Sequence, residues 1–247
     1  MKTPKKTPSV SSALRKDTLK VPDVIRDASG IRIYGRRLKS FLFSTDVATI
    51  CYSNADAILA VYPQTPHPSI VSAISTVSTA PVFAGVGGGL TSGKRSADIA
   101  LFAEAEGVMG VVVNAPMPVE TIEMIEGTID SPIIATIVSA YNDIDARLKA
   151  GVDILNVASG KDTPNLVAWI RERYPDVPII ATGGKTDDSI REVIAAGANA
   201  ISWTPPTTGE LFKKKMDVYR KERREEFIES HDGMTLNEYE QHLEDQD

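Results

Sequence analysis

The chain has 247 residues, 42% apolar and 24% charged, with a formal net charge of −6, 17 Gly, 15 Pro and one Cys. That length suits one large domain or two small ones, and the composition excludes disordered, collagen-like and disulfide-stapled classes. Cys51 alone forms no internal bridge and no Cys/His cluster offers a structural zinc site, while no apolar run approaches the ~18 residues that span a bilayer; a reducing cytoplasm and no membrane partner are expected.

Residues 1–38 precede the first strong strand signal. Residues 1–20 carry six Lys/Arg against one Asp, but this tail is short, lacks aromatics and adjoins an acidic body, so no nucleic-acid partner is expected. Residues 1–9 are expected to be mobile, whereas Ile31-Arg32-Ile33-Tyr34 alternates like a short strand able to plug the bottom of a barrel.

From residue 39 onward, short β-branched runs alternate with helical patterns. The predicted strands are 40–44, 57–62, 81–85, 109–114, 132–138, 153–158, 177–182 and 199–204, starting about every 23 residues. They read as nearly continuous apolar runs such as GVVV and PIIAT, which a parallel sheet covered on both faces requires. An open doubly wound sheet also alternates in this way, but eight strands and the absence of an opening GxGxxG favour closure.

An internal repeat supports closure. Residues 131–157 align without a gap on residues 177–203, sharing PIIAT and the pairs Ile144/Ile190, Ala150/Ala196 and Gly151/Gly197. Two βα units are a quarter of an eight-unit barrel. The expected fold is therefore α/β, a single (β/α)8 TIM barrel over 39–220, with the 1–38 segment closing its bottom and a helical extension over 221–247.

The copies diverge just beyond the strand end, where Ile137-Val138 in one become Gly183-Gly184 in the other. That end of the strands is where barrels of this kind carry their sites. Gly183 and Gly184 allow backbone N–H groups to approach a phosphate, and Thr204, Thr207 and Thr208 after the eighth strand can add hydroxyls. Tight turns and the capping box Thr207-x-x-Glu210 explain the same residues without a ligand, and Pro205-Pro206 remove two donors. A looser third copy is lengthened by GVGGGLTSGK. Gly88 to Lys94 matches G-x-x-x-x-G-K, but Arg95 replaces the expected Ser/Thr, so Gly85, Gly87, Gly88, Gly89 and Lys94 read as a lid or anion loop and not as a nucleotide triphosphatase loop.

The segment VPIIATGGKTDDSIREVIAAGANAI resembles the seventh-to-eighth strand region of the phosphate-binding barrel enzymes, such as IMP dehydrogenase, thiazole synthase and N-acetylmannosamine-6-phosphate epimerase. The resemblance implies a phosphate loop at Gly183 and Gly184; the glycine usual after the eighth strand is replaced here by Thr204-Pro205-Pro206. As a whole, the chain also resembles bacterial barrel proteins loosely labelled as hydrolases.

Polar residues at the other strand ends form the catalytic shortlist: Asp46, Tyr62, His67, Asn114, Ser139, Asn156, Lys161 and Lys185. Asp46 serves equally well as a helix cap, and the asparagines as partners for backbone groups. No HxH pair supports a metal-dependent amidohydrolase, so no metal is expected and no cofactor is assigned; no lysine lies within a predicted strand for imine chemistry, and G-x-S-x-G is missing. Near the C-terminus, KKKMDVYRKERREEF reads as a long charged helix. Thr235-x-x-Glu238 then caps a short one whose face of Leu236, Tyr239 and Leu243 is expected to dock on the barrel or on a second subunit of a homo-oligomer.

The expected function is acid/base isomerase, lyase or synthase chemistry on a small phosphorylated molecule. The alternatives are a non-catalytic barrel that binds such a molecule in a regulatory or interaction role, and a metal-independent hydrolase.

Overall fold

The computed structural model describes residues 8, 10, 12, 13 and 18–245. The expectation of mobility for residues 1–9 falls, Pro8 apart, outside these. A short hairpin comes first, β1 (Ile31–Ile33) pairing antiparallel with β2 (Arg36–Leu38).

Eight parallel strands follow and close on themselves: β3 (Ser40–Phe43), β4 (Ala57–Ala60), β5 (Val82–Gly87), β6 (Gly110–Val113), β7 (Ile133–Ile137), β8 (Ile154–Val157), β9 (Ile179–Thr182) and β10 (Ala200–Trp203). Closure is made by β10 on β3, with Ile201 opposite Ser40. The connecting helices are α1 (Val47–Cys51), α2 (Pro68–Val77), α3 (Lys94–Ala105), α4 (Val119–Glu126), α5 (Ile144–Lys149), α6 (Thr163–Arg173) and α7 (Asp187–Ala195). This is the (β/α)8 TIM barrel expected from the sequence, with every expected strand present.

Strand alternation splits the core in two. Inward residues including Phe41, Leu59, Phe83, Val112, Ile134 and Ile154 form one buried cluster, which also contains Ile31, Ile33 and Leu38 of the hairpin. Phe41 and Phe83 pack at 5.3 Å between ring centroids. Outward residues such as Leu42, Ile58, Val111 and Leu155 join the apolar faces of the helices in the second cluster. Each fully buried side chain of this size stabilises the fold by about 1.5–3 kcal/mol.

The repeat is visible in detail at the N-terminal end of the strands. Asp153 Oδ2 accepts from the Ile133 N–H and, 46 residues later in the alignment, Asn199 Oδ1 accepts from the Ile179 N–H, both at 2.9 Å. Each ties the start of one strand to the residue preceding the next.

Residues 206–247 form a unit of their own. In it, α8 (Thr208–Ser230) and α9 (Leu236–Glu244) each begin in a capping box, Thr207 with Glu210 and Thr235 with Glu238. Around the turn between them Phe227 stacks on His231, with centroids 4.0 Å apart, and Tyr239 meets both rings edge-on. Leu236 and Leu243 are about half-exposed. Among the described residues, no helix is long and apolar enough to cross a membrane.

Candidate active site at the barrel mouth

Two residues beyond the inward core positions, alternation brings the next side chains inward at the C-terminal end of the strands. These are Phe43, Val61, Gly85, Asn114, Thr136, Asn156, Thr182 and Ser202. Five of the eight are polar and none is charged. Asn156 and Ser202 are buried, while Asn114, Thr136 and Thr182 are half-buried toward the opening. Thr136 and Asn156 are register partners on β7 and β8, and Asn156 Nδ2 donates to Thr136 Oγ1 at 3.4 Å. Asn156 Oδ1 is buried and has no partner among the described residues. A buried carbonyl oxygen in that state is an acceptor available to a ligand that enters the mouth.

One side of the mouth opens into a pocket of about 230 Å³ lined by Val61, the 62–66 loop, the glycine turn after β5 and Asn114. The turn is pinned at its base: Gly88 N–H donates to the Thr91 carbonyl at 2.8 Å, and Ser96 Oγ donates to the same carbonyl at 3.1 Å. Gly88 lies so close to Asn114 that an added Cβ would stand 2.5 Å from Asn114 Cβ. At the tip, Leu90 is fully exposed. Lys94, the first residue of α3, is tied at 2.7 Å to Asp98 on its own helix.

At the end of β9, Gly183 and Gly184 have structural reasons of their own. A Cβ on Gly183 would lie 2.6 Å from Ile201 Cγ2, and Gly184 sits at φ +73°. Ser189 Oγ braces the turn from α7 by donating to the Gly183 carbonyl at 2.8 Å. The N–H groups of Gly184 and Lys185, however, find no acceptor among the described residues, and both residues are exposed. The first turn of α7 carries Asp187 and Asp188, which already offset the positive end of its dipole. Thr204 is exposed just after β10. Thr207 and Thr208 belong to the second unit, where Thr207 caps α8.

The other shortlisted residues lie outside the inward layer. Asp46 caps α1, its Oδ1 accepting from the Thr49 N–H at 2.7 Å. Lys161 is exposed in the short 3-10 turn Gly160–Asp162 beyond β8. His67 caps α2, and its N–H donates to Tyr62 Oη at 2.8 Å. Ser139 Oγ accepts from the Tyr141 N–H.

Sequence reasoning found Asn114 and Asn156 but missed Thr136, Thr182 and Ser202, which occupy the equivalent last inward positions of their strands. It also missed Arg147. This side chain on α5 is 6% exposed and donates through Nη2 to the carbonyls of Ala115 and Met117, at 2.6 and 3.2 Å, in the loop that follows Asn114. Burial pushes the Arg147 pKa down, opposed by the charge of Asp143, and its Nη1 has no partner among the described residues.

No protein-family model matches the chain. A stretch of 62 residues is 37% identical to an inosine-5'-monophosphate dehydrogenase of Chlorobaculum parvum, covering 24% of this chain and 13% of that protein. Another of 78 residues is 36% identical to a thiamine-phosphate synthase of Geobacillus thermodenitrificans, covering 26% of this chain and 35% of that protein. These matches span well under two thirds of the curated relatives. Among solved structures, a phosphonopyruvate hydrolase in complex with oxalate and Mg++ superposes with a TM-score of 0.57 at 14% identity, covering 85% of this chain and 91% of that one, which shows a shared fold. Among the described residues there is no group of three His, Cys, Asp or Glu that could hold a metal ion. The chain is a TIM barrel, and the likeness to phosphate-binding barrels carried by its sequence is upheld by an inosine-5'-monophosphate dehydrogenase among its relatives.

Proposed function

We propose that the chain is a barrel enzyme of isomerase, lyase or synthase type that acts on a small phosphorylated molecule at the C-terminal mouth. The observation that carries this reading is the neutral polar layer around Asn156, whose buried, unpartnered Oδ1 suits a ligand that arrives with its own donor. The open N–H groups of Gly184 and Lys185, the Lys185 charge and the Thr204 hydroxyl support a phosphate position on the β9–β10 side. The names of both relatives include phosphate-bearing molecules, which supports the same class of ligand. Asp187 and Asp188 weaken the helix field there, so Lys185 carries most of the electrostatic attraction in this reading. Asn114 and Asn156 orient the substrate, and Asp46, Lys161 and Lys185 supply the proton transfers from loops at the rim. The exposed face of Leu236 and Leu243 supports a homo-oligomer.

A second reading, a barrel that binds such a molecule without converting it, is favoured by the absence of charge among the last inward residues. Two measurements separate them. A panel of phosphorylated sugars and phosphorylated carboxylic acids is screened for binding, and each binder is followed by 31P NMR for conversion. Asp46→Asn preserves the cap on α1, since Asn caps as well as Asp. Turnover lost in this variant with affinity retained supports the enzyme; binders that are never converted by the wild type support the binding barrel.

A further inference from the structure

The opposite, N-terminal end of the barrel holds a second concavity of about 100 Å³, remote from the mouth along every strand. Its inner wall is apolar, with Val21 and Ile25 buried. Its polar groups include Arg26, Arg37 and Lys39, against a single acid, Asp56. Three cations line it with one carboxylate, and Asp23 outside the lining lies 3.7 Å from Arg26, which leaves a positive balance in a chain whose net charge is −6.

Two of the cations, Arg37 and Lys39, are held in place by the fold. Gly30 leaves the room they occupy: a Cβ there would stand 2.8 Å from Arg37 Cγ and 3.2 Å from Lys39 Cγ. Arg37 Nε donates to the Ser29 carbonyl at 2.7 Å, and Lys39 Nζ donates to the Arg26 carbonyl. Asp56 faces the backbone with Oδ2, which accepts from the N–H groups of Lys39 and Ser40 at 2.9 and 3.0 Å. Its charge is thereby partly satisfied by the strand it braces. Among the described residues, the Nη groups of Arg37 have no hydrogen-bond or ion-pair partner, and the ion pair of Arg26 is a 3.7 Å contact with the almost fully exposed Asp23.

We propose that this concavity is a site for a phosphoryl group, taken as inorganic phosphate or as the phosphate of a small metabolite. Two guanidinium forks and an ammonium match the three oxygens of such a group, and the volume holds it with little surrounding water, each water filling about 30 Å³. The site lies among the residues that brace the starts of β3 and β4, so its ligand stabilises the barrel from the end opposite the mouth.

The test is a titration of the uniformly 15N-labelled full chain with inorganic phosphate, followed by amide NMR and compared with chloride at equal ionic strength. The expected result is saturable movement of the Gly30, Lys39, Ser40 and Asp56 amides with phosphate and not with chloride. Arg26→Gln, which removes no buried contact, weakens the midpoint, and Arg26→Gln combined with Arg37→Gln weakens it at least about tenfold, the loss of charge-assisted hydrogen bonds. No saturable movement at these amides, an equal response to chloride, or an unchanged midpoint in both variants overturns the proposal. Movement confined to Gly183, Gly184 and Lys185 does so too, and reports on the mouth instead. Failure of the mouth to bind phosphate leaves this result standing.

Discussion

Replacing Asn156 by Leu tests whether its side chain is kept for a ligand at the expense of the fold. The residue is 6% exposed, and leaving its buried Oδ1 unsatisfied costs about 1–3 kcal/mol. Its Nδ2 bond to Thr136 Oγ1, at 3.4 Å, lies at the edge of hydrogen-bond range and returns less than about 1 kcal/mol. Leucine has the same branching and the same number of side-chain heavy atoms with no polar atom, and Thr136, being half-buried, can turn its hydroxyl toward solvent. The expected balance is a gain of about 1–2 kcal/mol, or roughly 2–8 °C in Tm at this chain length. Urea unfolding followed by circular dichroism measures it, with an unchanged m-value as the check that the denatured state is unaltered. A loss of more than about 1 kcal/mol would refute the reasoning, because it would mean that Oδ1 is already satisfied in the ligand-free protein.

Gly183→Ala places a methyl against Ile201 and Ile190 and is expected to cost about 1–3 kcal/mol by overpacking, read from the same unfolding curves. Arg147→Ala leaves the Ala115 and Met117 carbonyls without their donor while relieving a buried charge, for a net loss of about 2 kcal/mol and faster amide exchange at Met117; unchanged exchange contradicts its role as the clamp of that loop. Partial burial pushes the Glu104 carboxyl up, but the Ser131 hydroxyl and the N–H groups of Asp130 and Ser131, each 2.8 Å from Oε1, outweigh it and hold the pKa below 4.5. A value lowered by folding gives stability that is present above the unfolded pKa and lost as pH falls through the folded one. Glu104→Gln should therefore flatten the acid side of the stability profile, below the ordinary carboxyl range, and leave its slope near neutrality unchanged.

The eight strands were legible because each is buried on both faces and reads as an apolar run. Their ends were not. Residues 61 and 62 continue the run of β4 after the ladder has stopped at Ala60, while β5 continues to Gly87 because a register shift between Gly85 and Gly87 lets the glycine run pair with Val113. The polar layer of the mouth was accessible to period-two counting from Ile134, Ile180 and Ala200, which leads to Thr136, Thr182 and Ser202. Arg147 carried a signal as well: in the 46-residue repeat it aligns with Val193, and both positions are buried. An arginine at a core position of an amphipathic helix reads as solvent-facing unless its repeat partner is consulted. What the sequence could not show is which polar atoms are left without partners, since that depends on the register between β7 and β8.

On the proposed function, the mouth binds a small phosphorylated molecule through Asn156. A thermal-shift screen of phosphorylated sugars and acids against the wild type and Asn156→Leu addresses it directly. A ligand present at about 100 times its Kd adds about 2.7 kcal/mol, or roughly 5–11 °C, at this size. The expected result is such a shift in the wild type for at least one compound, reduced or abolished in Asn156→Leu. No shift with any of them, or an equal shift in both proteins, would contradict it.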